Sequence, residues 1–192
     1  PDDYCFGYAT RAEFDGDAYG WEKRRAAGVE FEVLSSADYA ARDPSFGASF
    51  HTVVACKNHG RISDPGAYVQ ALANYFVAAG GTLQISLVED VDTKDGVITG
   101  LQTSDGPMTA DHIVFAMGPW SKEIAHKLGV KVPFESERGY HLEFINPSIK
   151  PNAPMMVASG KFVLTPMEGR LRAAGVIEFG GLDAKASRAP FE

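Results

Sequence analysis

A helix that begins at Asp64-Pro65 is the feature that most limits how this chain can fold. Asp64 can cap the helix, and Pro65 suits the first helical position because the N–H that proline lacks has no acceptor there. Gly80-Gly81 ends the helix. Between these limits the apolar side chains recur at helical spacing: Tyr68, Leu72, Tyr75 and Phe76. The sequence therefore predicts a helix whose apolar face packs against another element.

The first fifty residues alternate between strand and helix patterns. Strands are predicted at 4–10 and 30–34, and helices at 14–27 and 37–41. Gly28 ends the first of these helices, and Ser35 or Ser36 can cap the second. The segment 46–58 has no clear period and is predicted to be partly extended.

Residues after the Asp64-Pro65 helix are rich in strand formers. The segments 82–91 and 97–103 are predicted to form a hairpin around Asp95-Gly96. Residues 111–117 contain the apolar run Ile-Val-Phe-Ala, which is typical of a strand buried in a parallel sheet. The segments 132–145 and 161–179 are long and extended, with a turn at Glu168-Gly169, and indicate antiparallel strands. The prediction is an α+β fold with a middle block at 51–131 and two flanks that form a second domain.

Charge and cysteine content exclude several classes of protein. The chain has 25 acidic and 18 basic residues, a net charge of -7, which disfavours a nucleic-acid partner. Cys5 and Cys56 match no disulfide framework or metal-ligand spacing, so no metal site is predicted and a reducing cytoplasm is favoured. No apolar run approaches the roughly 20 residues that span a bilayer, and no transmembrane segment is expected.

The segment Ala116–Ser121 is the most informative for chemistry, because it lies between the predicted buried strand and a helix. Gly118 allows a ligand to approach the backbone, and a helix N-terminus favours an anion such as a pyrophosphate. The residues alone fit equally well a simple strand-turn-helix with a packed tryptophan. Motifs of metal hydrolases, serine hydrolases and phosphate-binding loops do not occur.

Four motifs in their order resemble the FAD-dependent amino-acid oxidoreductase family, which includes D-amino-acid dehydrogenase, glycine oxidase and sarcosine oxidase. The likeness is strongest to the branch of the D-amino-acid dehydrogenase small subunit. The motifs are Asp-Pro-Gly-Ala-Tyr at 64–68, Thr-Ser-Asp-Gly at 103–106, the Ala-x-Gly-x-Trp-Ser turn at 116–121, and Arg-Gly-Tyr-His at 138–141. The likeness extends from about Gly7 to the end of the chain.

The resemblance implies two sets of site residues. Those implied to contact FAD are Val88, Ala116, Met117, Gly118 and Trp120. Tyr140 and His141 are implied to border the flavin ring and the substrate, and strand alternation favours Tyr140 as the one that lines the pocket. Arg172 could bind a substrate carboxylate, although an arginine on a solvated strand face is an equal alternative. No catalytic residue is assigned.

The family's GxGxxG fingerprint, which binds the pyrophosphate, does not occur in this sequence. We therefore expect an internal fragment of a two-domain flavoprotein, with residues 51–131 as a partial FAD-binding domain. Residues 1–50 and 132–192 would form the substrate domain, the latter as antiparallel strands. FAD is expected in the full-length parent and not in the fragment, whose further partners would be the missing N- and C-terminal segments of the parent.

The reaction implied by the resemblance is oxidation of a D-amino acid or related amine by hydride transfer to flavin, followed by hydrolysis of the imine to a 2-oxo acid. The fragment itself is expected to be inactive. Glycine, sarcosine, hydroxyproline or an opine are alternative substrates, and a non-catalytic ligand- or partner-binding module is the alternative class. We expect a cytoplasmic protein, and peripheral attachment to the inner membrane stays open because related dehydrogenases attach in this way.

Overall fold

The computed structural model describes residues 2–188, which contain ten strands and five α-helices. The strands are β1 (Asp2–Tyr8), β2 (Phe31–Ser35), β3 (Thr52–His59), β4 (Val88–Lys94), β5 (Val97–Thr103), β6 (Gly106–Met108), β7 (Glu137–Ile145), β8 (Met155–Val157), β9 (Phe162–Met167) and β10 (Arg170–Phe179). The helices are α1 (Arg11–Gly16), α2 (Ala18–Ala26), α3 (Ser36–Arg42), α4 (Pro65–Ala78) and α5 (Ser121–Lys127). This mixture of helices and sheets confirms the predicted α+β class.

The chain divides into two compact units. The first contains the described residues up to Val69, Gly139–Glu178, and Ser187 with Arg188. The second contains Gln70–Arg138 and Phe179–Ala186. The predicted domain boundaries at residues 50 and 131 divide the chain by its expected role in FAD or substrate binding. The compact units do not test that division, so these boundaries stay predictions.

A seven-stranded sheet organises the first unit, in the order β2-β3-β1-β8-β9-β10-β7. Strands β1 and β8 pair in parallel, whereas β1 with β3, β2 with β3, β8 with β9, and β9 with β10 are antiparallel. Strands from both ends of the sequence therefore share one sheet. This arrangement places the segments around Tyr140 and Arg172 on neighbouring strands at one edge of the sheet.

Helices pack on both faces of this sheet at strands β1 and β3. On one face, Cys5, Val53 and Met155 pack with Tyr39 of α3. On the other face, Tyr8 and its neighbours on the strands pack with Trp21 of α2. Successive strand residues point to opposite faces, which explains how β1 and β3 supply side chains to both clusters.

The N-terminal helices largely follow the predictions. The single helix expected at 14–27 is two helices, α1 and α2, because the backbone leaves helical geometry at Asp17 (φ -95°, ψ 9°). Helix α3 is capped as predicted, with Ser35 Oγ accepting from the Asp38 N–H at 3.2 Å. The ambiguous segment 46–58 includes most of strand β3, whose first five residues are buried.

Helix α4 begins where the sequence predicts. Asp64 Oδ1 accepts a hydrogen bond from the Ala67 N–H at 3.1 Å, which confirms the cap. Tyr75 is 75% exposed, and Leu72 and Phe76 are also exposed, so the packing of this apolar face stays a prediction. The helical period was correct, but no element of the described chain covers this face.

Strands β4, β5 and β6 form a three-stranded antiparallel sheet in the second unit. The predicted hairpin turn is confirmed, with positive φ at Asp95 (53°) and Gly96 (78°). Two strand predictions are wrong: residues 82–87 are not part of β4, and the segment 111–117 is not a strand. Ile85 and Val114 are 95% and 88% exposed. A strand is completed by hydrogen bonds to a neighbouring strand, and the described residues place no strand beside these two segments.

Within residues 2–188, no helix has the length and apolar character needed to cross a membrane. The same residues contain no group of histidine, cysteine and acidic side chains that could hold a metal ion.

Candidate functional site

A cavity of about 650 Å³ lies in the first unit beside strands β7, β9 and β10. Its walls combine side chains that are distant in sequence. Strand β7 contributes Tyr140, His141, Leu142 and Phe144, β9 contributes Phe162 and Leu164, and β10 contributes residues 173–176. The cavity has the size and largely apolar lining typical of small-molecule sites.

Hydrogen bonds within the described chain hold Tyr140 in place. Its hydroxyl donates to Glu178 Oε2 at 2.5 Å and accepts from the Ser187 N–H at 3.0 Å. The phenol is therefore oriented by strand β10 and by the segment that follows it. A charged acceptor makes the bond to Glu178 stronger than a neutral one.

His141 also lines the cavity, and its side chain approaches a charged pair. Its Nε2 lies 4.0 Å from Glu143 Oε1, and the same oxygen lies 3.1 Å from Arg170 Nε. The Arg170 Nε contact lacks hydrogen-bond geometry and is an ion pair only. Both residues expected at the substrate are thus brought to one cavity.

Arg172 is not among the residues that line this cavity. It pairs with Thr165 across β9 and β10. Its Nε is buried and has no hydrogen-bond partner in the described part of the chain. A guanidinium nitrogen in this state carries a desolvation cost that an added acceptor would relieve.

The residues expected to contact FAD lie in the second unit. Gly118–Trp120 form one 3₁₀ turn that leads from Ala116 and Met117 into α5, and the Met117 N–H donates to Ser121 Oγ at 3.2 Å. Gly118 has a positive φ of 57° and open space where a side chain would project. Trp120 is 63% exposed. Val88 lies on a different element, at the start of β4 opposite Thr103.

Phe162, Leu164 and Phe144 were missed as cavity residues by the sequence reasoning. Phe162 and Leu164 alternate along β9, a period that predicts a shared face. That pattern could have identified the face, but it could not identify β7 as the strand that completes the cavity.

Comparison with known proteins gives a consistent result. The family model described as "FAD dependent oxidoreductase" (DAO) matches residues 5–191. A D-amino-acid oxidase of Bradyrhizobium diazoefficiens is 33% identical over 177 residues, which are 92% of this chain and 42% of that protein. A D-amino acid dehydrogenase of Allorhizobium ampelinum is 26% identical over 91% of this chain and 42% of its own length.

Solved structures show the same fold. Glycine oxidase from Bacillus cereus superimposes with a TM-score of 0.83 at 16% identity, over 99% of this chain and 52% of that one. L-proline dehydrogenase from P. horikoshii superimposes with a TM-score of 0.79 at 19% identity, over 98% of this chain and 52% of that one. The chain therefore spans about half or less of the length of the proteins that it matches.

Proposed function

Because this chain belongs to the FAD dependent oxidoreductase family, we propose that the protein containing it oxidises a D-amino acid or a related amine. The observation that carries the proposal is the family match over residues 5–191. Two relatives that are named for oxidation or dehydrogenation of D-amino acids support this choice of substrate.

In this proposal, residues 51–131 contribute to FAD binding, and residues 1–50 and 132–192 contribute to substrate binding. The turn at Ala116–Trp120 suits a flat cofactor on two grounds. Gly118 has no neighbouring atom where a side chain would project, so a ligand can approach the backbone closely. The exposed Trp120 ring offers an aromatic surface. A backbone contact of Val88 with the cofactor is part of the same proposal.

FAD, when bound, would accept the two electrons released as the C–N bond of the substrate becomes an imine. Water then hydrolyses the imine to a 2-oxo acid and ammonia. The role of this chain is to bind and orient the amine, which lowers the entropic part of the barrier.

Tyr140 and His141 would supply the polar contacts inside an otherwise apolar cavity. The phenol of Tyr140 has little rotational freedom because Glu178 and Ser187 hold it, so it can act as a fixed wall for the substrate. Arg172 does not line this cavity, and we propose it as a partner for a carboxylate only because its buried Nε has no acceptor within residues 2–188.

The proposal is tested by the visible spectrum of the whole protein, followed by anaerobic addition of D-amino acids, glycine, sarcosine and hydroxyproline in turn. We expect a flavin spectrum that is bleached by a D-amino acid. A protein that stays colourless with added FAD would contradict the proposal and favour a ligand- or partner-binding module. A flavin that is bleached only by another amine would change the substrate and leave the reaction class in place.

A further inference from the structure

Tyr140 and Glu178 are joined by a short hydrogen bond. The Tyr140 hydroxyl lies 2.5 Å from Glu178 Oε2, at the lower limit for a bond from a hydroxyl to a carboxylate. Ser187 adds a second contact, because its backbone N–H donates to the same hydroxyl oxygen at 3.0 Å. All three residues are partly buried, so water competes for these bonds less than it would at an exposed site.

The two partners fix the direction of the Tyr140 hydroxyl hydrogen. A backbone N–H can only donate, so the phenol oxygen is the acceptor towards Ser187. An ionised glutamate can only accept, so the phenol is the donor towards Glu178. The single hydroxyl hydrogen of Tyr140 is therefore committed to Glu178, and this bond makes the phenol oxygen more negative.

The direction of this hydrogen matters for the cavity beside β7, β9 and β10. Tyr140 lines that cavity, whereas Glu178 is not among the lining residues. An amino acid carries a carboxylate, which accepts hydrogen bonds, and an amine, which donates them. A phenol whose hydrogen is committed to Glu178 cannot donate to the carboxylate, whereas its negative oxygen attracts an N–H. Glu178 therefore controls which of the two groups Tyr140 can bind.

We propose that Glu178 is a positioning residue that acts through Tyr140, and that Tyr140 receives the amine of the substrate and not its carboxylate. The inference rests on the proposed function, because it assigns an orientation to the substrate in the same cavity. The carboxylate is then bound by a group other than the Tyr140 hydroxyl.

The kinetics of the whole flavin-containing protein test both residues. Tyr140→Phe should raise the KM for D-alanine about 10-fold, with a smaller change in kcat, because the acceptor for the amine is lost. Glu178→Ala should raise this KM about 5-fold, because the hydroxyl loses its fixed direction. Glu178→Gln should restore most of that loss, since its amide oxygen can still accept from the phenol. Glu168→Gln, at an exposed carboxylate in the turn between β9 and β10, is the matched control.

The double variant tests whether Glu178 acts through Tyr140. In a protein that already carries Tyr140→Phe, the further change Glu178→Ala should alter the KM less than about 2-fold, because the group that Glu178 positions is gone. Independent effects that multiply in the double variant would overturn the positioning role.

Calorimetry with propionate, the deaminated analogue of alanine, distinguishes positioning from a merely structural role. Propionate carries the carboxylate without the amine, so Tyr140→Phe should leave its Kd within about 2-fold of the wild-type value. Glu178→Ala should lower the Kd about 3-fold, because the released hydroxyl hydrogen can now reach the carboxylate. Loss of a merely structural contact would weaken the binding of propionate instead. A Glu178→Ala protein that binds propionate no more tightly than the wild type does would overturn the inference.

The propionate measurement also separates failure of this inference from failure of the proposed function, because it involves no oxidation. Tighter binding of propionate by Glu178→Ala, in a protein whose wild type oxidises no amine, would refute the proposed function and support the control of Tyr140 by Glu178. Oxidation of D-alanine together with unchanged or weaker propionate binding by Glu178→Ala would support the proposed function and refute that control.

Discussion

Tyr8 donates its hydroxyl hydrogen to Asp17 Oδ2 at a distance of 2.7 Å. The same hydroxyl oxygen accepts from Trp21 Nε1 at 2.8 Å, so one phenol joins β1 to the N-cap and to the middle of α2. Tyr8 and Trp21 are buried. Burial and the hydrogen bond to Asp17 raise the pKa of Tyr8 far above its usual range, which keeps the hydroxyl a donor at any ordinary pH.

Replacement of Tyr8 by phenylalanine tests this link. Tyr8→Phe leaves the indole N–H of Trp21 buried without its acceptor, so we expect the free energy of unfolding to fall by about 1–3 kcal/mol. Urea denaturation measures the change. Tyr19→Phe, at an exposed tyrosine on α2, is the control and should be neutral. Equal stability of the two variants would show that the hydrogen bonds of Tyr8 contribute nothing.

The stability of the protein should fall at alkaline pH because of Cys5. Burial, followed by the nearby Asp3 carboxylate, raises the pKa of the Cys5 thiol from 9.0 to about 11. The unfolded chain releases this proton at lower pH than the folded chain does. The contribution of the thiol to the free energy of unfolding is therefore fully present below pH 9.0. It decreases by about 2 kcal/mol as the pH rises towards about 11.

Urea denaturation between pH 8 and pH 11 measures this dependence, and Cys5→Ala is its control because it removes the titrating group. The decrease in the free energy of unfolding should be smaller in Cys5→Ala than in the wild type. Tyr4, whose pKa is also raised by burial, adds a decrease that is common to both proteins. Parallel pH profiles for the two proteins would refute the prediction.

Asp43 is a buried carboxylate that joins two distant segments. Its Oδ2 accepts from the Asn152 N–H at 2.7 Å, and its Oδ1 accepts from the Ser45 N–H at 3.0 Å. Asp43→Ala leaves these two N–H groups without their acceptor and should lower the free energy of unfolding by about 2–4 kcal/mol. Asp15→Ala removes an exposed carboxylate paired with Arg11 and should cost less than about 1 kcal/mol. Thermal denaturation followed by circular dichroism compares them, and similar losses would contradict the prediction.

Gly175 should tolerate no larger residue. In Gly175→Ala the new methyl group would meet backbone atoms of Lys161 and Phe162, which cannot move without separating β9 from β10. We expect a loss of roughly 1–3 kcal/mol in the free energy of unfolding, as for other overpacked sites. Gly60→Ala, whose methyl group meets nothing within 4 Å, is the matched control. Unchanged stability of Gly175→Ala would mean that the two strands are not packed as closely as described.

The exposed Trp120 tests the FAD contacts. Trp120→Ala in the whole protein should weaken FAD binding about 10-fold, because an aromatic surface beside the cofactor is lost. Quenching of flavin fluorescence on binding gives the Kd. Tyr19→Ala, at an exposed aromatic residue in the first unit, should bind FAD as the wild type does. Unchanged affinity in Trp120→Ala would remove this residue from the FAD site.

Much of the local structure could be predicted because the interactions that produce it lie within a few residues. Asp64 caps α4 through the Ala67 N–H, and Asp95-Gly96 turns the chain between β4 and β5. Tyr140 was correctly expected to lie on an extended segment, and His141 lines the same cavity. The resemblance to a family supplied their expected roles, which stay predictions.

The sequence by itself determined the caps, the turns, the α+β class and the family, because these depend on local chemistry and on motif order. The tertiary structure alone decided which strands pair and which side chains meet. Residues 111–117 have the composition of a buried strand but form none, because a strand is completed by hydrogen bonds to a neighbour that composition does not specify. Phe162 reaches the cavity because Gly175, thirteen positions away along the chain, lets β10 approach β9 closely. Contacts of this kind depend on the positions of both strands at once, and no local pattern contains them.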